Sequence, residues 1–186
     1  MDFLNIIDSM KQAGVRFSAG LTDDAITKIE EFYEIRFPDS LKCFYQTALP
    51  IFADDPTFPD DFSPFPRWDD FSPENVAAIR QRMRDPYEWL KRDIERGFWL
   101  PAWGEKTTEE LFENAPVLIP IFLHRYMPVL SGTKVPVIST VGRDTICYGL
   151  TLEDYLLREF CHGGVAFEPM EIPYIPLWDD LLNQSH

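Results

Sequence analysis

Val117-Leu118-Ile119-Pro120-Ile121-Phe122-Leu123-His124 is the stretch on which the fold of this chain turns. Val117, Ile119, Ile121 and Leu123 alternate with Leu118, Pro120, Phe122 and His124, and nearly every position is apolar. A period of two puts alternate side chains on opposite faces, so the run predicts a strand buried on both faces or a strand near a bulge, since Pro120 has no N–H for a ladder. Tyr126 to Leu130, Val135 to Val141 and Asp144 to Tyr148 read as further strands. Ser131-Gly132-Thr133 and Gly142-Arg143 join them over hairpin lengths, which makes the strands antiparallel neighbours.

Upstream of the strands the period changes to that of helices. Phe3, Leu4, Ile7 and Met10 precede Gly14 and predict an amphipathic helix over residues 2–13, followed by a loop around Ser18-Ala19-Gly20. Leu21-Thr22-Asp23-Asp24-Ala25-Ile26 opens a second helix: Thr22 caps free N–H groups, the aspartates suit the positive end of the dipole, and Ile26, Ile29 and Tyr33 form its buried stripe. Pro38 starts a third helix carrying Leu41, Phe44, Tyr45 and Ala48, ending at Leu49-Pro50. Ser72-Pro73 and Asp85-Pro86 each look like a cap followed by a first-turn proline, so two helices are expected before Gly97. Short helices are expected at residues 108–114 and near residues 177–182, and Thr151 caps a last clear helix bearing Leu152, Tyr155, Leu156 and Phe160. Helices, then a meander, then helices again describe an α+β fold with a central, mostly antiparallel sheet flanked by helices, and 186 residues suit a single domain.

Composition narrows the function. The chain carries 17 Lys+Arg against 31 Asp+Glu, a formal charge of −14, with 45% apolar and 15% aromatic residues. It is too hydrophobic for a disordered acidic tail and has the wrong sign to hold nucleic-acid phosphates. The acid is uneven. Residues 51–75 hold seven acids (Asp54, Asp55, Asp60, Asp61, Asp69, Asp70 and Glu74), one base (Arg67), five prolines and five phenylalanines. Residues 76–100 hold six bases and four acids, and the arginines there read first as solvated partners of nearby aspartates. Cys43, Cys147 and Cys161 form neither a CxxC nor an even framework, which predicts reduced thiols. No run reaches the roughly 18 apolar residues of a membrane helix and the start lacks a signal-peptide pattern, so the expected compartment is the cytoplasm, with no membrane partner.

Six pieces in order, Leu21-Thr22-Asp23-Asp24-Ala25-Ile26 through Ile29-Glu30 to Phe37-Pro38, Phe98-Trp99 to Trp103-Gly104, Pro116-Val117-Leu118-Ile119-Pro120-Ile121 into His124-Arg125-Tyr126, Pro136-Val137-Ile138-Ser139, Asp144-Thr145-Ile146-Cys147-Tyr148-Gly149 and the helix with Tyr155-Leu156 and Glu159-Phe160, resemble the SUKH superfamily of fungal cell-wall-synthesis regulators and bacterial immunity proteins. The likeness spans roughly residues 15–162. It implies a non-catalytic α+β domain and a cytoplasmic protein that neutralises a toxin, often a nuclease, by binding it. On that reading Trp99, Trp103, Gly104, His124, Arg125, Tyr126, Asp144 and Gly149 are structural residues of the motif. The chain, taken as one SUKH-like domain over residues 1–186, departs from the compact pattern in a Pro/Asp/Phe-rich and helical insertion at about residues 51–97.

Chemistry-bearing motifs are missing: the sequence has no nucleophile elbow, P-loop, GxGxxG turn or HExxH helix. His162 sits at a helix end and His186 is terminal, which leaves His124-Arg125 with Asp144 as the one constellation to weigh. It reads either as an acid–base or anion-binding group, or as an Arg125–Asp144 pair that sets strand register with His124 beside it; the structural reading is preferred. Trp99 and Trp103 read as core before they read as a ligand groove. The adjacent aspartates lack the Gly and Glu spacing of a calcium loop, and no metal or cofactor is expected. A nuclease needs a positive groove, so a folded polyanion can cover it and find it quickly. Asp60, Asp61, Phe62, Phe65, Trp68, Asp69 and Asp70, mixing charge with apolar anchors, are the expected contacts with a basic toxin domain. A regulatory scaffold is the alternative, and an enzyme using His124, Arg125 and Asp144 a more distant one.

Overall fold

The computed structural model describes residues 3–53, 63–130, 134–161 and 171–183. In chain order the elements are α1 (Leu4–Gln12), β1 (Val15–Ala19), α2 (Asp23–Tyr33), α3 (Asp39–Thr47), β2 (Ala48–Ala53), α4 (Pro73–Glu95), a 3-10 turn (Pro101–Trp103), α5 (Thr108–Phe112), β3 (Leu118–Phe122), β4 (Arg125–Pro128), β5 (Val137–Val141), β6 (Asp144–Gly149), α6 (Leu152–Phe160) and α7 (Trp178–Leu182). β3 to β6 form a four-stranded antiparallel meander in sequence order, and β1 and β2 form a separate antiparallel pair. This is an α+β fold with helices against the larger sheet: α4 lies on β3 and β5, while α6 and α7 cover β6.

Both readings of the run around Pro120 are realised. Every residue of β3 is buried, and the register shifts between Pro120 and Phe122. β3 is an edge strand, where a proline is tolerated because one side of the strand carries no ladder. Leu123 takes the left-handed conformation, φ 49°, to close the β3–β4 turn, and its N–H is held by the Pro64 carbonyl at 3.0 Å. Gly142, φ 62°, opens the two-residue β5–β6 turn as a hairpin of that length requires. Its missing side chain also admits Asp93, whose Oδ2 would lie 2.3 Å from a Cβ and accepts the Arg143 N–H at 2.9 Å.

Three expectations need correction. The stretch around Ser18-Ala19 is strand β1 rather than a loop, and α3 runs straight into β2 through Leu49 and Pro50 instead of stopping in irregular chain. A two-stranded sheet consists only of edges, so Pro50 opposite Phe17 costs the pairing little. The third correction concerns Asp85-Pro86, which does not restart a helix: α4 continues unbroken through it for 23 residues. Ile79, Pro86 and Leu90 share its buried face, and their packing outweighs the one hydrogen bond that a proline removes. Residues 63–97 pack into the body, with Phe65, Trp68, Ile79 and Leu90 all core residues. No helix among the described residues is long and apolar enough to cross a membrane.

Candidate protein-binding site

Residues 63–75, expected to meet a partner, serve mainly to attach the chain to its own core. Phe65 packs between Phe122, at a ring distance of 4.8 Å, and Phe160. Trp68 meets Phe37 and Tyr33 edge-on at 5.1 and 5.4 Å and donates its indole N–H to Tyr45 Oη at 3.2 Å. Both side chains are buried, so they anchor the fold and are not the interface contacts expected of them. Asp69 pairs with Arg67 at 3.1 Å. Asp70 accepts the Ser72 N–H at 2.8 Å, which holds its carboxyl below the ordinary range and shapes the turn into α4. Asp60, Asp61 and Phe62 lie outside the described residues.

The His124-Arg125 group resolves into a structural knot with a partner that spacing did not suggest. Arg125, on β4, extends toward Glu159 of α6, with Nε 3.5 Å from Oε2, and its guanidinium lies 4.3 Å from the Tyr148 ring centre. Its Nη1 meets the His124 ring and lies 3.5 Å from Ser139 Oγ. The expected Arg125–Asp144 pair does not form; Asp144 is exposed at the start of β6, and Glu159 comes from a helix distant in sequence. Partial burial first, then the adjacent Arg125 charge, holds His124 below its ordinary range, against a smaller pull upward from Asp144. Burial pushes Glu159 up, and Arg125 offsets part of that. Burial also pushes the Cys147 thiol up to about 11, which leaves it a poor nucleophile.

The other motif residues are structural as well. Tyr126 and Trp103 are buried, and the Trp103 indole N–H donates to Asp180 at 3.1 Å, tying the 3-10 turn to α7. Trp99 stays partly exposed, packs edge-on against Trp103 at 5.2 Å and donates to the Gly104 carbonyl. Gly149 lets α6 close on β6, since a Cβ there would lie 2.7 Å from the Tyr155 nitrogen.

What sequence reasoning missed is the C-terminal end of α2. Glu30 is a buried carboxylate that accepts the Phe37 N–H at 2.8 Å and pairs with Lys42 at 3.3 Å and Arg36 at 3.4 Å. That knot folds residues 34–38 back beneath the helix. Ile35 N–H reaches the Glu30 carbonyl at 3.0 Å in a Schellman-type ending, with Glu34 in the left-handed position at φ 57°. Two clefts result. One, of about 400 Å³, lies between residues 30, 31 and 34–36 (Glu30, Glu31, Glu34, Ile35 and Arg36) and the Val117 and Val129 ends of the sheet. The second, of about 260 Å³, runs along Phe32, Tyr33, Arg80 and Met83 on the side facing α4. Arg80 of α4 donates to the Phe32 carbonyl at 3.4 Å and so supplies the cation that α2 lacks in its own last turn. Val117 borders the first cleft and Phe32 the second, and each is 41% exposed. A signal was present in the sequence: Glu30, Glu31 and Glu34 crowd the helix end where the dipole disfavours anions.

Among the described residues no group of three metal-ligating side chains converges. Comparison of the chain with protein-family models, with curated proteins and with solved structures returns no match.

Proposed function

We propose that the chain is a non-catalytic binding protein, an immunity protein of the SUKH kind that neutralises a basic toxin domain by covering it. The observation that carries the reading is the α2 end, where Glu31 and Glu34 border a cleft with the exposed Val117 and Glu34 borders a second cleft with the exposed Phe32. Carboxylates beside exposed apolar side chains supply charge for encounter and area for the bound state, the mixture that a protein interface uses. The overall charge of −14 draws a basic surface from a distance and repels nucleic acid. The His124-Arg125 group supports the same reading, because its guanidinium is committed to Glu159, Tyr148 and Ser139 inside the fold.

The test is co-expression of this chain with a basic toxin domain encoded beside it, scored by survival. Protection is expected, with complex formation that weakens steeply as salt rises from about 0.05 to 0.5 M, across which the screening length drops severalfold. Failure to protect against such a domain, with both proteins soluble and folded, overturns the reading.

A further inference from the structure

Acids outnumber bases 31 to 17 in this chain, and Arg67, Arg84, Arg92 and Arg158 each pair with a carboxylate. Arg96, at the C-terminal cap of α4, and Arg143, in the β5–β6 turn, do not. Among the described residues neither guanidinium has an acid partner, and both line one cleft of about 460 Å³. The helix end does not need Arg96, because the Gly97 and Phe98 N–H groups already bond to the Ile94 and Asp93 carbonyls at 2.9 Å. Asp93, the acid in the cleft wall, has its Oδ2 on the Gly142-Arg143 turn, where it accepts the Arg143 main-chain N–H at 2.9 Å. Two guanidinium groups and one carboxylate leave the cleft a formal surplus of one positive charge. The rest of its wall is aromatic. The Arg143 guanidinium lies 5.7 Å from the Phe98 ring centre, and Trp99, 37% exposed, is fixed by its bond to the Gly104 carbonyl at 3.0 Å.

We propose that this cleft receives one aspartate or glutamate side chain of a protein partner, with its carboxylate between Arg96 and Arg143 and the adjoining partner surface on Trp99. A guanidinium presents its N–H groups in a fork that matches a carboxylate, and tryptophan and arginine are the residue types that carry binding energy at interfaces. The surplus of one positive charge suits a monoanion, while the overall charge of −14 repels the phosphate dianions and polyanions that two arginines alone would attract. The inference rests on the binding-protein reading and adds to it a point of register: a basic partner steered by the acidic surface docks in the orientation that delivers its own acid to this positive island.

Arg96→Gln/Arg143→Gln sets the proposal against charge alone. Removing two cations from a polyanion tightens its complex with a basic toxin domain if net attraction decides, whereas loss of the anchor should weaken that complex at least about fivefold through faster dissociation. Both side chains are exposed, so Tm should move by no more than about 2 °C. The cleft is also tested without a toxin, by titrating the full chain with N-acetylglutamate N′-methylamide and following the Trp99 indole and Gly97 main-chain N–H resonances. Saturable shifts are expected, with affinity at least roughly fivefold weaker for the glutamine analogue and for the double variant. N-acetylglycine and methyl phosphate stand for a chain terminus and a phosphate, and tighter binding of either overturns the assignment. Absence of saturable shifts with the capped glutamate, or equal binding of the glutamine analogue, overturns it too. Should the double variant bind and neutralise a toxin as well as the parent chain or better, the cleft fails and the immunity reading stands on another surface. Should the capped glutamate bind while no basic toxin is neutralised, the cleft stands and the immunity reading falls.

Discussion

Glu30 and Glu159 are both carboxylates drawn into the body of the protein by helices, and the protein serves them differently. Glu30 receives a main-chain N–H at 2.8 Å and two cations within 3.4 Å, a complete shell assembled within twelve residues of chain. Glu159 faces one guanidinium at 3.5 Å, and its Oε2 and the Arg125 Nε are buried without a hydrogen bond. The first arrangement answers most of the lost hydration with directed donors; the second relies on Coulomb attraction between imperfectly placed groups. The contrast teaches which acid shapes the molecule. Glu30 fixes the turn after α2 and hence the walls of the cleft, whereas Arg125–Glu159 joins α6 to the sheet with geometry that apolar packing could replace.

The sharpest way to break that comparison is Glu30→Ala. It strands the Phe37 N–H and leaves Lys42 without its partner, so a loss of about 3 kcal/mol is expected in urea denaturation. A loss below about 1 kcal/mol would mean that the knot contributes little more than a surface pair. Next in size is Arg125→Met, which leaves Glu159 in a partly buried site without its cation and should cost about 2 kcal/mol. Adding Glu159→Leu should recover most of it, and a double-mutant cycle measures the coupling. Additive losses would show that Arg125 and Glu159 are not energetically coupled, and a double variant no more stable than Arg125→Met would show that apolar packing does not replace the pair.

The smallest effect is the dependence on pH. Glu159 sits above its ordinary 4.5 in the folded protein, so the folded state holds its proton more tightly than the unfolded one. Its contribution is complete below pH 4.5 and is lost as pH rises through the elevated value. His124 acts with the opposite slope: its lowered folded value makes stability rise with pH until the unfolded imidazole has titrated near 6.5. Urea midpoints followed from about pH 4 to 8 should therefore lose, in Glu159→Gln, the fall that accompanies rising pH above 4.5 and keep the rise attributed to His124. An unchanged decline would assign it to another carboxylate.

Elements whose signals are local were legible in advance. Thr22 caps α2 by accepting the Ala25 N–H at 3.2 Å, and Thr151 caps α6 through Asp154, because a cap involves residues three apart. The meander was legible because Gly142-Arg143 leaves room for nothing longer than a hairpin. Illegible elements depend on distant partners. β1 and β2 are short and pair across α2 and α3, and α4 crosses Pro86 only because the sheet beneath buries that side of the helix. At the site, acidity was visible but was assigned to the aspartate-rich stretch, where Phe65 and Trp68 proved to be core. The α2 end was overlooked because Glu30, Glu31 and Glu34 look alike in sequence.

By itself, then, the order of residues determined the α+β class, the antiparallel meander, most of the helix starts and the strong negative charge, all of which depend on periodicity, caps and composition. Tertiary structure alone decided which acids are spent inside and which stay exposed. Glu30 and Glu31 are neighbours in the chain, yet one turns into donors from residues 36, 37 and 42 while the other faces the cleft. The reason is physical: a carboxylate's role is set by the donors and dielectric around it, and these are supplied by segments brought together only when the chain folds.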